Sequence, residues 1–396
     1  MDIKQEVLGV EQYIIDMRRY FHENPEESWK EFNTQKKICE ELENMGIEYV
    51  KSCKTGVIGF LGNKGKRPII GVRADIDALP VCEATNLSFA SKNENVMHAC
   101  GHDGHIAMLL GTAKLLKKFE NLLEGEVRLF FQPAEEFIAD SGAKYMSECD
   151  EFKELDNVVG AHIWSYLPTG RISVEAGPRL ASADTYDIVI KGKGGHGAMP
   201  NQCVDPIICG STLVNTLQSI VSREVSPTEP VVLSVCSFNS GSSFNIIPNE
   251  AKLSGTVRTF NNSIRDSIPG KMERIVADVT HSYRAEYEFE FHYGTPATIN
   301  DEYSSQIATK AVENLYGKEA LIKYPAAMLG EDFAKMLAKV PGCFALVGCR
   351  NEEKGIVEPH HNPKFDIDEA GLKYGVGFFL QYVFEYMKNY QNHYLI

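Results

Sequence analysis

Pro68-Ile69-Ile70-Gly71-Val72-Arg73-Ala74-Asp75-Ile76-Asp77 opens on a short apolar run and closes on two carboxylates. The run is too short for a helix and has no polar alternation, so it predicts a strand covered on both faces. Two more runs of this kind follow at residues 127–131 and 158–161. Between the first two, Ile106, Leu109, Leu110, Ala113 and Leu116 recur at three- and four-residue spacing, the mark of a core-facing helix. Asp103 stands where its N-cap is expected. Upstream, residues 5–47 read as helix, a Pro25 loop around Trp29, and helix again, with Phe32, Cys39 and Leu42 at apolar positions. Strand–helix–strand order predicts an α/β domain of three layers around a mostly parallel or mixed sheet.

From Asp184 the pattern changes. Strand-like alternation at 186–190 gives way to a glycine cluster and a helix near 205–221. Strands at 231–238 and 252–259, a helix over 263–284 and alternation at 287–293 complete the series. That order predicts a ferredoxin-like α+β domain inserted into the larger one. The expected boundaries are 184–293 for the insert and 1–183 plus 294–396 for the catalytic domain. A helix–strand pattern resumes near 301, with a strand at 344–347.

At 396 residues the chain is long enough for two domains. A formal net charge of −14 argues against nucleic acid or an anionic membrane surface as partner. No run approaches the apolar length of a membrane span, and the opening Met1–Glu6 is charged rather than signal-like, so the expected location is the cytoplasm. Ten scattered cysteines without a C-x-x-C pair are too sparse for a disulfide framework.

The densest chemical signal is Met97-His98-Ala99-Cys100-Gly101-His102-Asp103-Gly104-His105. Thiolate and imidazole suit zinc and related transition ions. Not all of these side chains can be ligands: His105 already belongs to the helix, and His98 is as well suited to packing. Gln132-Pro133-Ala134-Glu135-Glu136 follows the second strand. Adjacent carboxylates repel unless a positive charge holds them, and neighbouring side chains of an extended segment point apart. One can therefore bind metal while the other serves as a base. His162 is expected at the end of the third strand, and Asp75 and Asp77 follow the first. Strand ends are where ligands bind in open α/β sheets. Glu358-Pro359-His360-His361-Asn362-Pro363 adds paired histidines near the C-terminus.

These segments resemble the aminoacylase and N-acyl-amino-acid amidohydrolase family, which includes hippurate hydrolases, N-acetyldiaminopimelate deacetylases and auxin-conjugate hydrolases. The resemblance rests on Arg73–Pro80, Cys100–His105, Gln132–Glu136, Gly194–Pro200, Asn245–Pro248, Val257–Phe260, Gly330–Phe333 and His361–Pro363, in the family's order across nearly the whole chain. It implies a hydrolase with two divalent transition-metal ions (manganese, zinc, cobalt or nickel) held by Cys100, His102, Glu136, His162 and His361. His361 is preferred over His360 because it directly precedes Asn362-Pro363. The resemblance also implies Glu135 as general base, His196 as polariser of the scissile carbonyl, and Asn245 and Arg258 as substrate-holding residues. The substrate it implies is an N-acyl amino acid, with a dipeptidase or aminopeptidase as the alternative. The insert would act as a lid and join two copies into a homodimer.

One motif points elsewhere. Gly192-Lys193-Gly194-Gly195-His196-Gly197 fits the dinucleotide pattern G-x-G-x-x-G. Pro200 follows closely and the helix begins only near Asp205, so the helix start a pyrophosphate needs is out of place. The glycines are expected instead to carry His196 around a tight loop.

Overall fold

The computed structural model describes residues 2–394 and, for side chains, residues up to Tyr390. The chain divides into two compact units. The first runs through Arg179 and includes Ile299–Pro325 and the chain from Asp332 onward; the second comprises Leu180–Thr298 and Ala326–Glu331.

A mixed seven-stranded sheet forms the first unit. In spatial order its strands are Glu48–Ser52, Gly56–Gly62, Glu126–Gln132, Ile69–Asp75, Asn157–Pro168, Gly342–Arg350 and Ile172–Ser173. The three central pairings, from Glu126–Gln132 across to Gly342–Arg350, are parallel; the outer ones are antiparallel. Every residue of Ile69–Asp75 and of Glu126–Gln132 is buried, which is why both read as continuous runs without alternation. The helix His102–Lys118 packs against the helices Ile3–Glu23 and Leu372–Tyr394.

Three details differ from expectation. Glu48–Ser52 and Gly56–Gly62 form strands that the sequence reading passed over: the first is largely exposed and the second is diluted by glycine. Asp103 does not cap its helix; Gly101 holds that position with φ 92°, a left-handed conformation that favours glycine. His162 lies inside a strand of 12 residues rather than at its end. Pairing with the 69–75 strand stops at Arg73–Gly160 while pairing with Gly342–Arg350 continues, so His162 sits just past the point where one neighbour leaves.

Freed from capping, Asp103 is buried and accepts from Arg18 Nε at 2.9 Å and His22 Nδ1 at 2.7 Å. Glu83 Oε1 lies 3.3 Å from His22 Nε2. Burial opposes a charge on His22, but Asp103 and Glu83 prevail over burial and Arg18 and raise its proton affinity above the ordinary histidine value. A folded value above the unfolded one, roughly 6.5, gives stability that is full below that pH and fades as pH climbs through the folded value. His22→Asn is therefore expected to lower the melting temperature more at pH 6 than at pH 9. An equal loss at both would show that His22 is neutral in the fold.

In the second unit a four-stranded antiparallel sheet has the order Val231–Ser240, Glu250–Thr259, Ala183–Lys191, Glu286–Thr295. Tyr186, Ile188, Ile190, Leu253 and Val257 form one core with Leu213 and Leu217 of the helix Pro206–Ser219 and Met272 and Val276 of Asn262–Ser282. This is the predicted ferredoxin-like arrangement. Asp205 caps the first helix by accepting from the amides of Ile207 and Ile208. Among the described residues, no helix is long and apolar enough to cross a membrane.

Candidate metal centre

Asp77, fully buried beyond the 69–75 strand, organises the first unit's polar centre. Its Oδ1 accepts the Glu135 amide and its Oδ2 the Glu136 amide, each at 3.0 Å, and Ser28 Oγ donates to Oδ2 at 2.6 Å. Its backbone carbonyl accepts from His102 Nδ1 at 2.9 Å. One side chain and its own peptide thus orient a histidine and both glutamates.

Cys100, His102 and His162 place one donor atom each within 4.8 Å of one another, and so do Cys100, Glu136 and His361. Cys100 belongs to both groups. His162 Nδ1 donates to the Ile163 carbonyl at 2.5 Å, leaving Nε2 at 3.5 Å from Cys100 Sγ. Burial, with His105 and His360 beside it, pushes His162 well below the ordinary value, so that Nε2 presents a lone pair. His361 Nε2 lies 3.3 Å from Glu136 Oε1, and its backbone amide is tied to the Ala99 carbonyl at 2.8 Å.

The electrostatics call for cations. Burial raises the Cys100 thiol well above its ordinary value, and Glu136, Glu135 and Asp75 raise it further. Against the cost of burial, Asp75, Asp77 and Glu136 raise His102 to about 10. A proton on that ring is the counter-charge the carboxylates require, and a divalent ion could supply it instead. Among the described residues, the buried atoms His102 Nε2 and Glu136 Oε1 have no hydrogen-bond partner. One thiol, three imidazoles and a carboxylate, two of them with orphaned donor atoms, fit divalent transition-metal ions.

The remaining histidines of these motifs are otherwise engaged or lie outside the groups. His105 accepts the Ile163 amide at Nε2, 2.8 Å, and donates from Nδ1 to Asp75 Oδ1 at 2.5 Å. His360 Nε2 accepts the Ser165 amide at 3.2 Å, and burial lowers the ring to about 3. His98 is buried, is likewise lowered to about 3, and joins none of the groups.

The other predicted residues lie on the second unit. His196 pairs with Ile246 in the ribbon Gly195–His196/Ile246–Ile247; its Nδ1 accepts from the Ala198 amide at 3.0 Å and the ring is exposed. The Gly197 amide donates to the Asn245 carbonyl at 2.8 Å, which ties this loop to Asn245. Arg258 is half-buried, with no carboxylate partner among the described residues. None of the glycines around His196 has a positive φ. They allow close approach instead, since a Cβ at Gly192 would lie 2.3 Å from the Val204 carbonyl oxygen and one at Gly194 2.6 Å from that of Ile247.

Residues 71–385 match the pattern of Peptidase family M20/M25/M40. The chain belongs to that family. Among its relatives, an N-acyl-L-amino acid amidohydrolase of Geobacillus stearothermophilus is 45% identical over 76% of this chain and 81% of its own. A thermostable carboxypeptidase of Saccharolobus solfataricus is 39% identical over 94% of this chain and 95% of its own. A Bacillus subtilis structure described as a dinuclear metal binding peptidase from the M20 family superposes with TM-score 0.84 at 36% identity, covering 96% of this chain and 99% of that one.

Sequence reading noticed Asp75 and Asp77 but gave them no role, and it overlooked Glu31 and Arg73 as supports of this M20 site. Glu31 Oε1 accepts the Ala134 amide at 2.8 Å and Oε2 the Thr55 hydroxyl at 2.7 Å. Burial, with Asp77 nearby, pushes Glu31 up to about 7.

Proposed function

We propose that this chain is a metal-dependent amidohydrolase that cleaves the amide bond of N-acyl amino acids. The observation that carries this reading is the grouping of Cys100, His102, Glu136, His162 and His361 beside a second buried carboxylate, Glu135, which a pure binding site has no need for. The name of the Geobacillus relative points to the same reaction.

Cys100, His102, Glu136, His162 and His361 would hold two divalent ions (manganese, zinc, cobalt or nickel). When bound, the ions supply Lewis acidity, which makes a water easier to deprotonate and neutralises charge on the carbonyl oxygen. Glu135 takes the proton from the attacking water and returns it to the leaving amine. His196 steadies the oxyanion. Asn245 and Arg258 hold the substrate, and the Arg258 guanidinium suits bidentate capture of its free carboxylate. The second unit is proposed to serve as lid and to join two copies, since Val231–Ser240 is an edge strand that can pair across a two-fold axis. The free state of all ten cysteines is consistent with a cytoplasmic location.

The relative named as a carboxypeptidase favours a second reading. Peptides and N-acyl amino acids share the scissile amide and the free carboxylate; they differ in whether the acyl part carries an amine. The test is amine release from an N-acetyl amino acid and from the matching dipeptide, with protein stripped by chelator and reloaded with each metal. Metal-dependent turnover faster on the N-acetyl substrate is expected. Faster dipeptide cleavage would replace this reading with the peptidase one, and turnover unaffected by chelation would end both.

A further inference from the structure

Glu31 lies outside the motifs that carry the reaction, yet it is fully buried, and although it stands at the N-cap of the helix Phe32–Asn44 its side chain makes no capping hydrogen bond there. Its two oxygens are spent on Thr55 and on the amide of Ala134, 103 residues away. Ala134 has φ 51°, a left-handed conformation that is strained for a residue with a Cβ. The next two amides, of Glu135 and Glu136, are taken by Asp77. Three successive N–H groups are thus gathered by two buried carboxylates, and the turn they make sends adjacent glutamates to different tasks. Packing closes the turn from behind: a Cβ at Gly142 would lie 1.8 Å from the Pro133 carbonyl oxygen, and the Gly142 amide donates to the Ala134 carbonyl at 3.1 Å.

We propose that Glu31 is a positioning residue: by holding the Ala134 amide in its strained turn, it aims Glu135 at the reacting atoms without touching substrate or metal. Glu31 acts through one backbone hydrogen bond, so an uncharged acceptor of the same shape can replace it. A Gln oxygen accepts from Ala134 N–H, and its amide can donate to the Thr55 hydroxyl. Strain at Ala134 is the second part of the device, so glycine there, which adopts this φ at no steric cost, reduces the need for Glu31.

The proposal rests on the reading of Glu135 as base, and the test separates the two. In Glu31→Ala, kcat is expected to fall by about tenfold or more, as for a misplaced catalytic group, with KM nearly unchanged and bound metal equal to wild type. Glu31→Gln should stay close to wild type, and Ala134→Gly added to Glu31→Ala should recover part of the lost kcat. Amide hydrogen exchange on metal-free protein supplies a readout independent of turnover: residues 133–137 should exchange faster in Glu31→Ala while the central strands keep their protection. Unchanged kcat and unchanged exchange in Glu31→Ala would overturn the proposal. So would a loss that tracks lost metal or faster exchange throughout the sheet, or a Glu31→Gln variant as impaired as Glu31→Ala. If wild-type protein hydrolyses no N-acyl amino acid, the functional reading fails and the exchange result alone decides whether Glu31 holds the turn.

Discussion

Glu135→Gln is expected to lower kcat by about 10²–10⁴-fold while leaving bound metal unchanged, the range lost when a positioned proton-transfer group is removed. The expectation follows from where the side chain sits. Glu135 is only 7% exposed, its amide is fixed by Asp77, and its Oε1 faces the Asp332 amide at 3.4 Å. Gln matches that shape and preserves an acceptor for the Asp332 amide, but it cannot carry a proton between water and amine. The neighbouring Glu136→Gln serves as the contrast. Glu136 Oε1 is buried without a hydrogen bond among the described residues and lies 3.3 Å from His361 Nε2, so its loss should appear in metal content measured by elemental analysis. Retention of turnover within about tenfold in Glu135→Gln would place the base elsewhere. Equal metal loss in both variants would show that the two glutamates do not divide the work.

How much of this site the sequence made legible depended on whether its signals were local. Cys100 and His102 are two residues apart on a glycine turn, and donor chemistry alone marked them as a metal motif. The strands at 69–75 and 126–132 were legible because both of their faces are buried, which leaves apolar residues at successive positions. Glu48–Ser52 escaped because its exposed residues carry no core signature. His162 was noticed for the right chemistry at the wrong place in its strand, since only pairing shows where a neighbouring strand departs. Glu31 was invisible for a deeper reason. In Glu26-Glu27-Ser28-Trp29-Lys30-Glu31 it looks like one more solvated acid, and its contact with Ala134 depends on packing between segments far apart in the chain.

Arg73 makes the same point with a larger energetic consequence. It is 1% exposed and follows the apolar run of its strand, where a charge is costly unless every donor is satisfied. Its Nη1 donates to Asp75 Oδ2, Nη2 to Asp332 Oδ1 and Nε to Gln132 Oε1, each at 2.8 Å. Gln132 Nε2 in turn donates to both Asp332 oxygens. The guanidinium therefore ties the ends of two central strands to the segment that carries the Asp332 amide beneath Glu135. Arg73→Met fills comparable space but strips Asp332 of the cation beside it and leaves Asp75 with only the histidines His102 and His105, and breaking such a buried pair typically costs about 3–5 kcal/mol. A loss of that size is a large share of the roughly 5–15 kcal/mol that separates folded from unfolded protein. The expected result is poor recovery of soluble Arg73→Met, or a urea midpoint shifted by an amount of that order. Arg73→Lys restores charge without the three-way fork and should fall between the two. Adding Asp332→Asn to Arg73→Met removes one orphaned charge and should recover part of the stability. If Arg73→Met unfolds within about 1 kcal/mol of wild type, the two carboxylates do not depend on this cation, and the Arg73 hub is not what holds the strand ends together.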